Sequence, residues 1–574
     1  MSDNKKSFLK GALILAAANF VVKIIGAIFK IPLYGYIGKD GSGLFNVAYQ
    51  IYTFMFIIAT AGFPIAVSKM VAESLAKGRE NEAERIFKSS KGLLFAIGLV
   101  GSLILFFFAE PLANRLGNSD AALCIKAISP AVVLVSVVSA YRGYFQGKQN
   151  MYPTAFSEVI EASVKLGAGI FLALYFVGMK VDPSIEFVDF ADYAVKSKGI
   201  KTILAASGAI FGVTAGTLFS LLFMSAVNVF SSKNKKLKKC ERTTSSILKE
   251  LVMIAVPITV GASVSSLTSL IDLATIMNRL VINPSVFEKY GFLFEKGTEF
   301  FDEALKAGLS AAEIAEKKAN VLYGMYTGQA LPMFNLPLTI VVALGMSVVP
   351  AISSAVAKNS IEASKRMTES VIRITMLFAI PCAVGMSVLS KEILGLLYSD
   401  SDAYMLLSKL SIAVVFVSCV SVTNSILQAY GRVYFPVVNM IIGGGVKVLM
   451  NYNLIPVWGI DAVPIATNVC YAIIAFLNLV CILRFVKIKF SLIDFFIKPL
   501  MAAFVMDVVA VFGSQIFGNV LGSGKISTLL AICVAALVYA VMLLLIGAVK
   551  REDIKNMPMG GKIEAFLDKT GFLK

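Results

Sequence analysis

Apolar runs that recur along nearly the whole chain leave this sequence few ways to fold. Gly92 to Ala109, Ile203 to Phe230, Met376 to Leu389 and Ile526 to Val549 approach or exceed the ~20 residues that cross a ~30 Å hydrocarbon layer. Hydrophobic residues fill 57% of the 574 positions and charged residues only 16%, against about 25% charged in soluble domains. A water-soluble fold has no way to hide so much apolar surface. In hydrocarbon every backbone polar group must be satisfied internally, and runs of this length do so as helices.

Apolar blocks between polar breaks predict an all-α membrane protein with about fourteen transmembrane helices on the ~20-residue criterion. The blocks run at 11–37, 44–68, 92–110, 122–146, 153–178, 203–230, 248–282, 320–356, 371–390, 404–430, 435–457, 461–483, 493–518 and 526–549. Met1 to Lys10 is polar and basic, and the apolar stretch after it holds Lys23 and Lys30 and ends in no small-residue cleavage site, so it reads as a retained first span. The net charge of +17 is explained by basic loops on one side of a membrane rather than by nucleic acid. Lys69, Lys77, Arg79, Arg85, Lys88 and Lys91 follow span two; Lys233, Lys235, Lys236, Lys238, Lys239 and Arg242 follow span six; Lys358, Lys365 and Arg366 follow span eight. All fall on the side of the N-terminus. The opposite loops are mixed or acidic, as in Glu288, Glu295, Glu299, Asp302 and Glu303. A multi-pass protein of a bacterial cell membrane with cytoplasmic N- and C-termini is expected, its residues 550–574 a basic, weakly amphipathic tail on the cytoplasmic surface.

An internal repeat organises the spans. Ser129-Pro-Ala-Val-Val-Leu-Val-Ser-Val-Val-Ser139 matches Ser411-Ile-Ala-Val-Val-Phe-Val-Ser-Cys-Val-Ser421 at an offset of 282 residues, which also pairs Gln146 with Gln428 and Val164-Lys165 with Val446-Lys447. One residue more pairs Gly62 with Gly345 and Leu94-Phe-Ala-Ile97 with Leu377-Phe-Ala-Ile380. Two six-helix lobes related by pseudo-two-fold symmetry are therefore expected, at 1–242 and 243–490, followed by a helix pair at 491–549. Lobes that rock around a shared cavity suit a transporter. With no histidine in the chain, the commonest general base and zinc ligand is missing. Of the seven cysteines, Cys124, Cys382, Cys419, Cys470 and Cys533 sit inside apolar spans and no C-x-x-C pair occurs, so they read as small core residues. No cofactor and no metal site is predicted.

Charge inside spans is the other informative feature, because a lysine near the bilayer centre costs ~2.5 kcal/mol or more on insertion scales. Lys23 and Lys30 stand two helical turns apart on one face of span one, about 10 Å from each other. They suit a cationic grip on phosphate or pyrophosphate, the favoured reading; the alternative is that Lys30 reaches outward near Pro32 while Lys23 pairs with an acid such as Asp272. Lys165 and Lys447 occupy equivalent places in the two repeats, which fits a cavity wall and also fits ammonium groups that bind helix carbonyls or amides such as Asn439 and Asn451. Asp272 and Arg279 share a face of span seven, where Asp272 suits a cation, a proton or a pair with Lys23, and Arg279 suits a phosphate. Asp507 in span thirteen lies outside the repeat and suits a structural or lipid-groove role. Two enzyme-like motifs fail. Gly522-Ser-Gly-Lys-Ile-Ser-Thr528 has Asn519 where a phosphate loop needs its first glycine, and Asp400-Ser-Asp402 is a lone acidic pair in a short outer loop. Mainly positive buried charge points to an anionic substrate and disfavours a cation-coupled multidrug antiporter or a membrane glycosyltransferase.

Tyr141-Arg-Gly-Tyr-Phe-Gln-Gly147 followed by Met151-Tyr-Pro-Thr154, the turn Gly38-Lys-Asp-Gly-Ser-Gly43, and Gly328-Gln-Ala-Leu-Pro332 with Asn335-Leu-Pro337 resemble the polysaccharide-exporter branch of the multidrug/oligosaccharidyl-lipid/polysaccharide flippase superfamily. Within it the chain is most similar to the stage V sporulation protein B group and the related lipid II flippases of Gram-positive bacteria. The resemblance covers nearly the whole chain. It implies alternating access and an undecaprenyl-pyrophosphate-linked sugar as substrate, moved from the inner to the outer leaflet for peptidoglycan or another cell-wall polysaccharide, with cell-wall synthesis proteins as partners. By resemblance, Lys23 and Lys30 fall on or beside headgroup-contacting basic residues of span one, spans thirteen and fourteen form a lipid-tail groove, and Asp272, Asn451 and Thr467 fall near a sodium site of some members. Lys447, one turn before Asn451, would repel a sodium ion, and spans two and eight lack the cavity arginines of the lipid II flippases. The chain is expected to be no enzyme, with Lys23, Lys30, Lys165, Arg279 and Lys447 lining the substrate cavity.

Overall fold

A computed structural model of the chain describes residues 2–179, 199–231, 242–295, 298, 310–357, 360–398, 400–432, 434–488, 491–522 and 524–549. The expected surface tail at 550–574 and the basic run 233–239 lie outside the described residues. Helices account for the fold: α1 (Ser2–Thr60), α2 (Phe63–Ala76), α3 (Glu80–Phe107), α4 (Ala109–Arg115), α5 (Ala122–Gly147), α6 (Tyr152–Gly178), α7 (Gly199–Ser231), α8 (Thr244–Leu280) and α9 (Ala311–Met325). They continue as α10 (Leu331–Ala357), α11 (Ile361–Val388), α12 (Ser390–Leu397), α13 (Tyr404–Ser411), α14 (Ala413–Ala429), α15 (Tyr434–Trp458), α16 (Ala462–Phe485), α17 (Lys498–Leu521) and α18 (Lys525–Leu545). No strand occurs among the described residues, as the backbone argument from hydrocarbon requires.

Nine helical stretches among the described residues are long and apolar enough to cross a membrane, or eleven when two pairs bent by 92° and 43° each count as one span. Two of the nine, Ala17–Ala76 and Tyr434–Phe485, run 60 and 52 residues, and each contains two of the spans expected from the sequence. Helix α1 alone would reach about 90 Å at 1.5 Å per residue. It is interrupted at Gly38, whose φ of 66° and ψ of −168° lie in a region essentially closed to side chains. That glycine opens the turn the sequence placed between spans one and two.

Two compact units emerge, one of residues 1–328 with 454–460, the other of 329–453 with 461–574. In the first, α5 is the central helix, packed by α1, α2, α3 and α7 and buried along most of its length from Cys124 to Gly147. Helices α6 and α7 press together through Gly212, where an added Cβ would come within 2.5 Å of the Gly169 backbone, and Gly216, where it would meet the Glu161 carbonyl at 2.5 Å. Helix α9 is tied to the turn of α1: Asn320 donates to Asp40 and accepts from Asn118 at 2.6 Å, while Lys317 pairs with Asp120 at 3.8 Å. Gly324 makes the approach possible, since a Cβ there would collide with the Lys39 carbonyl.

In the second unit α14 is the centre, packed by α10, α11 and α16, and the pair α17–α18 lies on α11. A proline explains one anchor of that pair. Pro381 carries no N–H, so it leaves the carbonyl of Leu377, four residues back, without its helical donor. The Tyr539 hydroxyl of α18 donates to that carbonyl at 2.8 Å, within a core of Met376, Leu377, Ile380, Ala502, Ala503, Met506 and Ala535.

The repeat is legible in element boundaries. Helix α6 and helix α15 begin 282 residues apart, at Tyr152 and Tyr434; α5 spans the same stretch as α13 and α14, from Ala122 against Tyr404 to Gly147 against Ala429. The short α4 and α12 recur at the same spacing to within one residue, and so do α3 and α11. Removing the Tyr539 hydroxyl leaves a buried carbonyl bare, so Tyr539→Phe should lower stability by about 1–3 kcal/mol, read as an earlier thermal transition of the protein in nanodiscs, while a Val541→Leu control on an exposed position leaves it unchanged.

Candidate functional site

Lys30 and Lys165, seven and thirteen residues into their respective stretches after Lys23 and Tyr152, meet on one aromatic ring. Lys165 Nζ lies 4.5 Å from the centroid of the Tyr49 ring and donates to the Tyr49 hydroxyl at 3.3 Å. Lys30 Nζ lies 5.8 Å from the same centroid, and the two ammonium groups are close enough for their charges to act on each other. Phe29 supports Lys165 at 5.2 Å, and Phe45 stacks on Tyr49 with centroids 5.7 Å apart. Gly169 keeps the space for Phe29, because a Cβ there would come within 2.8 Å of its ring. Each cation–π contact is worth roughly 0.5–2 kcal/mol, which offsets part of the cost of holding a lysine among apolar helices. Two cations held on one tyrosine make a positive spot that an anionic group would complement.

Toward the other end of α6, a second polar group fills the space between α5, α6 and α7. Arg142, 8% exposed, places Nη2 2.8 Å from Glu161 Oε2, donates from Nε to the Ser157 hydroxyl at 3.2 Å and from Nη2 to Ser220 at 3.5 Å. Glu158 lies on the same face, near enough for the charges of Arg142 and Glu161 to act on it. Tyr52, 5% exposed, is near enough for the charges of Glu161 and Arg142 to act on it.

The structure regroups the residues picked from sequence. Lys30 joins Lys165 from another helix, while Lys23, its expected partner two turns earlier on α1, is exposed among Phe20, Val21 and Ile24. Asp272 lies close to the buried Tyr323 of α9. Arg279 stands in the last turn of α8, where a cation complements the helix dipole. In the second unit, Lys447 and Asn451 are both buried, one turn apart on α15, and the Thr467 hydroxyl donates to the Val463 carbonyl of its own helix at 2.8 Å. Asp400 serves its loop: its carboxylate accepts from Gln329 Nε2 at 2.8 Å and from the Asp402 amide at 3.3 Å, while Gln329 Oε1 accepts from the Ala403 amide. Among the described residues no cluster of three or more metal-ligating side chains occurs.

Sequence reasoning passed over Arg142, Glu158, Glu161 and Tyr49. The signal was present: Glu158, Glu161 and Lys165 are spaced i, i+3 and i+7, one stripe of a helix, inside an apolar block. Arg373 was also missed at the edge of its block; it is 4% exposed and its guanidinium lies 5.9 Å from the Phe495 ring centroid. Breaking the Arg142–Glu161 pair from one side strands a buried charge at a cost of about 3–5 kcal/mol. Arg142→Leu should therefore destabilise the protein strongly in thermal unfolding, and adding Glu161→Gln should recover much of the loss.

The chain matches the family described as polysaccharide biosynthesis protein over residues 8–356, and that described as lipid II flippase MurJ over residues 315–542. It is 25% identical to stage V sporulation protein B of Bacillus subtilis (strain 168) over 97% of this chain and 99% of that protein. Among solved structures, it superposes on a lipid II flippase MurJ in an inward closed conformation with a TM-score of 0.63, at 15% identity, over 93% of this chain and 98% of the other. It also superposes on an inward-facing multidrug resistance MATE family transporter of the MOP superfamily with a TM-score of 0.60, at 12% identity, over 82% and 94%. The fold is thus shared with these solved membrane proteins, in keeping with the nine to eleven described stretches long and apolar enough to cross a membrane. With one family covering more than half its length, the chain belongs to the polysaccharide biosynthesis protein family.

Proposed function

We propose that this protein is a flippase that moves an undecaprenyl-pyrophosphate-linked sugar, of the kind that feeds peptidoglycan or another cell-wall polysaccharide, from the inner to the outer leaflet of a bacterial cell membrane. The observation that carries the reading is the convergence of Lys30 and Lys165 on Tyr49. Two ammonium groups from different helices offer a diphosphate two point charges, while the apolar prenyl tail needs no polar partner and stays in lipid. The match to families described by polysaccharide biosynthesis and lipid II flipping supports a lipid-linked substrate.

In this reading lobes 1–242 and 243–490 alternate access to the cavity with both termini in the cytoplasm, α17 and α18 guide the lipid tail, and 550–574 rests on the membrane surface. Lys23, Arg279 and Lys447 add to the positive potential that draws the headgroup in, and Asp272, Asn451 and Thr467 stand as the candidate cation or proton site. Cell-wall synthesis proteins are the partners that would supply and consume the substrate. A cation-coupled multidrug antiporter is the second reading, favoured by the likeness to the MATE fold. Cationic drugs call for an acidic or aromatic cavity, and the paired lysines oppose them.

The discriminating experiment is a leaflet-resolved assay of lipid II and related lipid-linked sugars in cells depleted of their own flippases. The wild-type chain should restore outer-leaflet substrate. Lys30→Ala with Lys165→Ala, at normal expression, should cut that restoration at least tenfold, and Lys23→Ala less. Full activity of the double variant, or a raised drug resistance with no lipid movement, would sink the reading.

A further inference from the structure

The Arg142 cluster holds more negative charge than its one guanidinium balances. Glu161 takes the guanidinium at 2.8 Å. Glu158 Oε2 is buried and, among the described residues, has no hydrogen-bond partner; the same is true of the Tyr52 hydroxyl, on a side chain 95% buried. A buried carboxylate oxygen and a buried phenol, each unpaired among the described residues and each within electrostatic reach of Arg142 and Glu161, are costly.

The second repeat shows that this charge is not what the architecture requires. The residue 282 positions after Arg142 is Asn424, after Ser157 is Asn439, after Glu158 is Met440 and after Glu161 is Gly443. There Asn439 donates to Asn478 at 2.8 Å and Asn478 donates to Asn424 at 2.8 Å. A neutral amide chain links the equivalent helices, and no carboxylate stands at either acidic position. What the first repeat adds is two carboxylates.

The geometry points to Glu158 as a proton-binding site whose occupancy is linked to an anion held by Lys30 and Lys165. A metal cation is opposed here by the Arg142 guanidinium and by Lys165 two helical turns away on α6, about 10 Å from Glu158. A proton is not, because it neutralises the carboxylate and turns Oε2 into a donor. The charged groups that act on Glu158 are Arg142 from α5 and Glu161 from its own helix, with Lys165 two helical turns further along α6. With the lysines unoccupied, their positive charge favours ionised Glu158. A pyrophosphate on the lysines cancels that charge and adds its own, so Glu158 takes up a proton, and the transported headgroup travels with its excess charge partly compensated. The linkage rests on the flippase reading for its substrate; the proton site itself does not.

Infrared difference spectroscopy of the whole protein in nanodiscs, with and without inorganic pyrophosphate, tests both parts. The wild type should gain a protonated-carboxyl band on adding pyrophosphate; Glu158→Gln should lose that band, and Glu158→Asp should restore one at a shifted frequency. Calorimetry in two buffers of different ionisation heat should find up to one proton fewer taken up by Glu158→Gln. A band that survives in Glu158→Gln, or one that follows sodium rather than pH, overturns the site. A Glu158 band that titrates with pH yet ignores pyrophosphate overturns the linkage, while lipid movement in the leaflet assay is decided separately.

Discussion

Everything in this molecule answers to the cost of placing charge among helices built for hydrocarbon. Apolar residues face outward as readily as inward, with Phe107, Phe171, Phe230 and Phe504 all exposed, so the ordinary sorting of oil from water does not select the interior. Polar groups do that sorting instead. Where they are neutral they cross-link helices, as Asn439, Asn478 and Asn424 do, or join segments beside the turn of α1, as Asn118 and Asn320 do. Where they are charged they gather in sets, Lys30 and Lys165 on Tyr49 and Arg142 with Glu161.

Close backbone approach makes those sets possible. Gly212 and Gly216 let α7 lie against α6, which brings Ser220 within reach of Arg142 and holds the face of α6 that carries Glu158, Glu161 and Lys165. Gly169 on that helix gives Phe29 its place, and Phe29 with Tyr49 supports Lys165. A larger residue at any of these glycines would move the charges apart before it touched them. Glycines inside long apolar helices are therefore part of the site, although none carries a polar side chain.

Much of this fold was readable from sequence because hydrocarbon imposes strict length and polarity rules on a chain. The span at 122–146 corresponds to α5, the span at 153–178 to α6 and the turn at Gly38 to the break in α1. The repeat offset found in Ser129–Ser139 recurs, to within one residue, in the boundaries of α3 and α11 and of α4 and α12, and in the starts of α6 and α15. The site was less legible. Lys30 was visible as a charge in the wrong medium, yet its companion was taken to be Lys23, two turns away on the same helix, because spacing along one helix can be counted and contact between helices cannot. Arg142 was hidden differently, inside a motif read as a family signature, and Glu158 and Glu161 went unweighed inside an apolar block.

Comparing the repeats turns symmetry into a means of separating architecture from chemistry. Both halves need a polar link between the helix that starts near Ala122 or Tyr404 and the one that starts at Tyr152 or Tyr434. One half meets that need with amides at no electrostatic cost, and the other with Arg142, Glu161 and a spare carboxylate, which is dearer in the same surroundings. Lys165 and Lys447 make the complementary point: the residue is duplicated, but Lys165 is paired with Lys30 across an aromatic ring, and the position 282 residues after Tyr49 is Leu331. Duplication preserved the helix pattern and one lysine, whereas the unduplicated residues, Tyr49, Arg142, Glu158 and Glu161, collect in a single unit. Charge held where a neutral substitute suffices is charge the helix packing alone does not require.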